Sequence, residues 1–474
     1  MNSIISPTID LFSYDLRNSL GDSQEGINKN RKLFLQKIPL EFHKKLAAES
    51  EQDFDVEYVY LLKEQKKHYV PFKSEQKPVD GYYYPVRLGD TYGLLVECTV
   101  QDETQEFSPT VFATLKTEIQ QRLQEQTATV GQTWVISGYL PQSVTTEEIE
   151  DIAEACYKAL MPELNWEQEK DGEGCFLGAT IFELSTQRLA KRIVESQGEK
   201  TEVVIQDSHV IVILYPNKST LELSAKFYSD WMRLFYYRHK ILWAYGQSRT
   251  LSSSMKIDFS QIQSISDSIA SKKFQNLNDI RQALSNIQII LNSFTRKLNI
   301  LDFQTGTINT NFSNYQKRLE FINQKTQQKT TAQTELSFLN KFDKLITDKY
   351  LLQIKQESES FGRGLKLLEN TNNAIRSRVE VEKLKSDRNF QDILAVVGSV
   401  TATVALLKEG KNECKLLLRV PEDPKVSQVS QVSQDPKVPQ DQHSPCDYTL
   451  FYGLVVGIFV GFLVWLLRKR LLAG

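Results

Sequence analysis

Between Leu277 and Ile322 apolar residues recur in alternating steps of three and four: Leu277, Ile280, Leu284, Ile287, Leu291, Phe294, Leu298, Leu301, Ile308, Phe312, Tyr315, Leu319 and Ile322, with Thr305 in the one empty place. A 3-4 repeat sustained over more than six heptads predicts a coiled-coil seam, carried here by Leu277, Leu284, Ile287, Leu291, Leu298 and Phe312. No proline falls between Pro216 and Pro421, and Gly306 marks a kink. The polar run at 323–333 (NQKTQQKTTAQ) ends the seam. A second apolar series then runs from Leu336 to Val379, drifts between roughly 3.5 and 3.67 residues per turn, and is interrupted by Gly362 and Gly364. Two arrangements fit: an antiparallel hairpin with the polar run as its turn, which the register change favours, or a parallel oligomeric stalk. Region 251–390 is therefore expected to be long coiled-coil helix, and its second helix leads through Lys383, Lys385 and Arg388 into Ile393.

Residues 1–250 read differently. The pattern changes every 8–20 residues, which predicts an α+β head. Strands are expected at Ile9–Tyr14, Val56–Leu62, Tyr82–Leu88, Tyr92–Val100, Thr133–Tyr139, Cys175–Leu184, Glu202–Gln206 and His209–Tyr215, where β-branched and aromatic residues end in turn residues. Helices are expected at Glu25–Gln36, Leu40–Ala48, Ser108–Gln126, Thr146–Leu160 and from Ser219 to Gly246. Thr145 to Glu148 carry the hydroxyl and acids of a helix N-terminus, and Asp171 to Gly174 read as a turn. Paired strands followed by helices suggest a sheet with helices on one side, in two ferredoxin-like halves.

The C-terminus predicts a membrane protein. Tyr448–Leu467 is twenty residues without a charge, enough for a transmembrane helix of about 30 Å, with Tyr448, Tyr452 and Trp465 near its ends. Gly453, Gly457 and Gly461 share one face of it, as helix-packing glycines do. Arg468, Lys469 and Arg470 open a basic tail (468–474), and the positive-inside rule places them in the cytoplasm. No export signal is expected at the N-terminus, where Arg17 is the first basic residue. A first span within 391–407 (Ile393–Leu407 is uncharged) reconciles the two as a helical hairpin; the rival is a single C-terminal anchor with Ile393–Leu407 as a packed helix. Segment 408–447 between them is a Pro/Ser/Gln-rich linker with two DPKV copies around VSQVSQVSQ. Either way, residues 1–390 are expected in the cytoplasm, on a bacterial inner membrane.

Few chemical functions are signalled. Fifty-seven basic residues balance fifty-nine acidic ones, a net charge of −2, which removes the basic field of a dedicated nucleic-acid binder. The five cysteines form no CxxC, and His43, His68, His209 and His443 have no second ligand at metal or triad spacing, so no metal or cofactor is expected. Phosphate-loop, dinucleotide, zinc-protease, serine-hydrolase and kinase motifs are absent, and the expectation is a non-enzyme. Asp53, Asp55 and Glu57 read as a solvated acidic edge rather than a divalent-ion face. The densest cluster, Trp231 to Lys240, has two readings. Arg233, Arg238, His239, Lys240 and Arg249 could form an aromatic-lined patch for an anionic ligand or RNA. Alternatively Leu223, Phe227, Trp231, Leu234, the Arg238 stem, Ile241 and Tyr245 form a core stripe with the bases outside, the favoured reading.

SDWMRLFYYRHKILWAYGQSR (Ser229–Arg249) and KSDRNFQDILAVVGSVTATVA (Lys385–Ala405) resemble an uncharacterised family of cyanobacterial-type membrane proteins. That resemblance implies an α/β head, long helices and C-terminal hydrophobic segments, and no activity. The order of parts is also similar to CorA-type magnesium channels in topology alone. Their Gly-Met-Asn motif is replaced here by Lys408-Glu409-Gly410-Lys411-Asn412, which argues against magnesium transport. The expectation is a membrane-anchored, non-enzymatic scaffold or sensor, self-associating through its helices. Its head binds a protein partner or ligand and couples to the bilayer. The alternative is a membrane-perturbing effector or channel-type protein triggered through the head.

Overall fold

The first strand, β1 (Ile4–Leu16), runs through the middle of the head and alternates between two cores: Ile9 and Leu11 enter one, Phe12 and Tyr14 the other. The computed structural model describes residues 3–383 except 22, 45, 47–56, 63–67, 75–76, 196–198 and 272–276; at 189–195, 199–206, 270, 277 and 378–383 it describes the backbone alone. After β1 come α1 (Gln24–Leu35), α2 (Leu40–His43), β2 (Tyr58–Tyr60), β3 (Val70–Lys73), β4 (Val79–Leu88), β5 (Thr91–Val100) and β6 (Glu106–Phe107). Next are α3 (Val111–Arg122), β7 (Gly131–Tyr139), α4 (Ile149–Leu160), α5 (Trp166–Glu169), β8 (Lys170–Phe176), β9 (Ala179–Glu195) and β10 (Glu199–Tyr215). The helical part comprises α6 (Lys218–Ser224), α7 (Tyr228–Ala270), α8 (Leu277–Lys329), α9 (Lys341–Leu345) and α10 (Leu352–Lys383), with a π-helical turn at Ile346–Leu351 before α10.

All the strands join one mixed sheet in the order β2-β4-β5-β1-β7-β10-β9-β8, with β3 beside β4 and β6 beside β1. Within it β4-β5-β1-β7 is antiparallel, with α1 and α3 in the two crossovers, a βαββαβ connectivity. The rest does not repeat it: β8, β9 and β10 form a meander, and β10 joins β7 in parallel. Helices cover both faces rather than one. Phe34 of α1, Phe112 and Ile119 of α3 and Ile152 of α4 pack on Ile9, Leu94, Val96 and Val212. Phe235 and Ile241 of α7, with Ile308 of α8 and Ile346, close over Phe12, Leu95, Val135 and Ile211. The continuous apolar run Val210–Leu214 is the mark of a strand buried on both sides.

The long helices form a three-helix bundle. Asp258 pairs with Lys297 at 2.7 Å and Asp230 with Lys325 at 2.6 Å, so α7 and α8 run antiparallel. Phe294 against Phe361 and Tyr315 against Phe342 return the chain antiparallel to α8. The seam lies inside this bundle. Ile287 and Leu291 are buried, Leu284, Leu298 and Phe312 are half-buried, and the side chain of Leu277 lies outside the described residues. Gln304, beside the one place where the apolar spacing skips, and Asn311 are also buried. The seam therefore packs within the chain. The π-helical turn at Ile346–Leu351 adds a residue per turn, which accounts for the register drift of the second series. Helix α10 continues through Gly362 and Gly364, where α7 approaches closely through Phe259.

Several boundaries differ from the sequence expectation; the strands expected at Glu202–Gln206 and His209–Tyr215 are one strand, β10. Position 250 lies inside the unbroken α7, and head and bundle belong to one compact unit, Met1–Asp387. The stretch Cys175–Leu184 is divided by a turn at Leu177 and Gly178, both at positive φ. Asp171 to Gly174 are strand β8, an edge capped by the α8–α9 connection: Cys175 N–H donates to the Glu335 carbonyl at 2.9 Å and Glu335 N–H returns to Cys175 at 2.7 Å. A Cβ on Gly174 would lie 2.4 Å from the Glu335 carbonyl oxygen and 2.6 Å from the Phe338 ring. Gly174→Val is thus expected to cost about 1–3 kcal/mol, read as a lower urea midpoint at unchanged slope; an unchanged midpoint would refute this packing. Thr145 and Glu148 do form a capping box ahead of α4.

Among the described residues no helix is long and apolar enough to cross a membrane. Segments 391–407, 408–447, 448–467 and 468–474 lie outside the described residues, and with them Gly453, Gly457, Gly461, Arg468, Lys469 and Arg470.

Candidate functional site

The first third of α7 lies across the sheet, and its aromatic stripe forces this contact. Phe235 meets Phe12 edge-on at 5.2 Å, Trp231 stacks on Phe235 at 5.5 Å, and Tyr14 donates its hydroxyl to the Met232 carbonyl at 2.8 Å. A helix so placed carries its polar side chains into the interface as well. Three polar clusters result, each pairing α7 with charged residues of the sheet or its turns.

The first contains Arg238 and His239. Both guanidinium nitrogens of Arg238 bind Asp207, at 2.5 and 3.2 Å, and the charge lies 5.1 Å from the Phe342 ring centre. Thr133 Oγ1 lies 2.7 Å from His239 Nε2 and 2.8 Å from His209 Nδ1, and His209 Nε2 lies 3.1 Å from Glu183. Arg238, His239, His209, Thr133 and Glu183 are buried, and the Asp207 side chain is 7% exposed. Burial pushes the Glu183 carboxyl up to about 8 against the pull of Arg238. Burial first, then the Arg238 charge, pushes both imidazoles well below their usual range. Thr133 thus bridges the two neutral rings, with Glu183 on the far nitrogen of His209. The His239 Nδ1 approach to Asp207, 3.3 Å, is too misaligned for a hydrogen bond. Gly131 makes room for the ring, since a Cβ there would sit 2.5 Å from Nδ1.

The second cluster joins two carboxyl groups across neighbouring strands. Asp10 of β1 and Glu97 of β5 are register partners, and the Tyr228 hydroxyl reaches both, at 3.3 and 3.1 Å. Burial, then the Glu97 charge, holds Asp10 well above the usual carboxylate range; burial lifts Glu97 to about 7 against the Tyr82 and Tyr228 hydroxyls.

The third borders open space. Lys240 Nζ donates to Asp90 at the β4–β5 turn at 2.8 Å and lies 4.2 Å from the Trp243 ring, and Tyr236 donates to the other Asp90 oxygen at 3.4 Å. Burial lowers the Lys240 ammonium against the pull of Asp90. A cavity of about 330 Å³ opens beside this pair, walled on the α8 side by Phe303, Gly306, Thr307, Thr310 and Asn311.

The five bases do not form one patch. Arg238 and His239 share the buried network, and Lys240 faces the cavity. Arg233 lies 4.0 Å over the Tyr58 ring, and Arg249 pairs with Glu357 of α10 through two 2.7 Å contacts. Nor do the bases lie outside a core stripe: Arg238, His239 and Lys240 are 1–2% exposed. Glu57 accepts from the Tyr237 hydroxyl, while Asp53 and Asp55 lie outside the described residues. His209, read as solitary, is linked to His239 through Thr133; among the described residues no three metal-ligating groups converge. Sequence reasoning missed Asp10, Asp90, Glu97, Asp207 and Glu183. Asp10, Glu97 and Glu183 left a local signal, each an acid on the same strand face as a core residue (Phe12, Leu95 and Ile181).

No protein-family model matches the chain, and no curated protein matches it.

Proposed function

We propose that this protein is a membrane-anchored, non-enzymatic scaffold or sensor. In this reading the head receives a partner or ligand, and the helices carry the response to the C-terminal hydrophobic segments. The supporting observation is α7: one helix of forty-three residues whose first part is bound to the sheet by three polar clusters and whose last part packs in the bundle. Any displacement of α7 on the sheet must pass to α10, because Arg249 and Tyr245 hold Glu357 and Gln353. Helix α10 then leads toward the uncharged Ile393–Leu407 and Tyr448–Leu467. Membership of the cyanobacterial-type membrane family, an inner-membrane location with the N-terminal 390 residues cytoplasmic, and self-association through the Gly453, Gly457 and Gly461 face belong to the same proposal.

The test expresses the full chain and a version ending at Glu382 in bacteria and washes membranes with alkaline carbonate. The full chain should stay with the membrane and the shortened one should be released. Release of both would overturn the anchor.

A further inference from the structure

Gly306 is a glycine without a packing reason. It sits inside the fifty-three-residue α8, where glycine is the least favourable residue apart from proline, yet a Cβ there would meet nothing within 4 Å. What its bare backbone does is leave open the wall of the cavity facing Lys240 and Asp90. Lys240 is equally unusual. Its side chain is 2% exposed, and an ammonium has three donors, but Asp90 is its one hydrogen-bond acceptor among the described residues. Lys240 and Asp90 both line the cavity. Asp90 is 39% exposed; its Oδ1 accepts from Tyr236 and Thr91, and its Oδ2 accepts from Lys240 alone among the described residues and keeps acceptor capacity. The cavity thus presents a donor-rich cation and an acceptor-rich anion side by side, with the half-exposed Phe303 ring on its wall. A simple anion would match Lys240 and be repelled by Asp90; a simple cation would meet the reverse.

We propose that this cavity binds a free α-amino acid, its carboxylate on Lys240, its ammonium on Asp90 and its side chain against Phe303. The site deepens the reading of the head as ligand-receiving and rests on it. Occupation would compete for the contact that ties α7 to the β4–β5 turn, so the ligand acts on the helix that leads into the bundle.

The full chain, purified in mild detergent, is titrated calorimetrically with glycine, leucine, phenylalanine, glutamate and arginine, and with phenethylamine and 3-phenylpropionate, which each lack one of the two charges. At least one amino acid should bind, and the single-charge compounds should bind at least ten-fold more weakly than phenylalanine. Gly306→Gln fills the cavity from an open helix position and should abolish binding without lowering the melting temperature. Lys240→Met should weaken binding ten-fold or more. Absence of binding by every amino acid, binding that survives Gly306→Gln, or equal binding of 3-phenylpropionate and phenylalanine would each overturn the site. Failure of these titrations with a carbonate-resistant chain removes the amino-acid site alone; carbonate release with intact binding removes the anchor alone.

Discussion

Replacing Arg238 with methionine is expected to cost about 3–5 kcal/mol of folding stability, and adding Asp207→Asn to the same molecule should return a large part of it. The reason is the asymmetry of buried ion pairs. Arg238 is 1% exposed, and Asp207 receives both of its terminal nitrogens. Methionine fills much of the stem volume but leaves the Asp207 carboxylate in the interior, where burial already raises its pKa despite the guanidinium. The carboxyl then takes up a proton or draws in water, and either costs free energy. Asparagine removes the charge. The double-mutant cycle in urea separates the two explanations: a coupling energy of about 2 kcal/mol or more assigns the loss to the stranded charge. Additive effects would assign it to lost packing against Phe342.

Raising the pH from 5 to 8 should cost the parent stability relative to its Glu97→Gln variant. The Glu97 carboxyl ordinarily titrates near 4.5 and is held at about 7 in the folded chain. The folded state therefore binds this proton more tightly than the unfolded state. The contribution is complete below 4.5 and is lost as pH rises through 7. A tenfold difference in proton affinity is worth about 1.4 kcal/mol; discounted for the partial exposure of Glu97, the loss is on the order of 2 kcal/mol. Glu183, held at about 8, loses its contribution over the same rise and on to pH 8. The histidines act oppositely: His209 and His239, pushed down, contribute above about 6.5 and lose that contribution as pH falls below it. Glutamine copies the protonated Glu97, so the variant should match the parent at pH 5 and exceed it at pH 8. Asp10 and Glu97 share the Tyr228 hydroxyl, so they titrate as a pair. Parallel stability curves for parent and variant would refute this account.

The parts of the fold that were legible are those written in local spacing. The 3-4 repeat from Leu277 to Ile322 marks α8, and its inward face is the one the repeat names. The strands at Tyr82–Leu88 and Tyr92–Val100 lie within β4 and β5 because alternation and a Gly-Asp turn are short-range properties. The end of α7 was not legible. The expected end at Gly246 does not hold: α7 packs against α8 and α10 and runs to Ala270.

The candidate site was legible only by half. Its bases stand together in the sequence, and their crowding marked the segment. Their acids do not: Asp207 lies 31 residues before Arg238, Asp90 lies 150 before Lys240, and Glu357 lies 108 after Arg249. Amphipathic reasoning sends a run such as Arg238-His239-Lys240 to solvent, because an unpaired charge cannot be buried. That argument holds only while the partners are unknown.

By itself, then, the sequence determined the classes of structure present: an α+β head, long heptad-patterned helices and a hydrophobic C-terminal stretch. These follow from periodicity and composition, which act over a few residues. Only the tertiary structure decided that the sheet is covered on both faces, that the seam closes inside one chain, and that three bases are interior and paired. Those outcomes depend on which distant strand edge, carboxylate or helix face arrives alongside. Ion pairing and burial are set by distance in space, and spacing along the chain does not carry it.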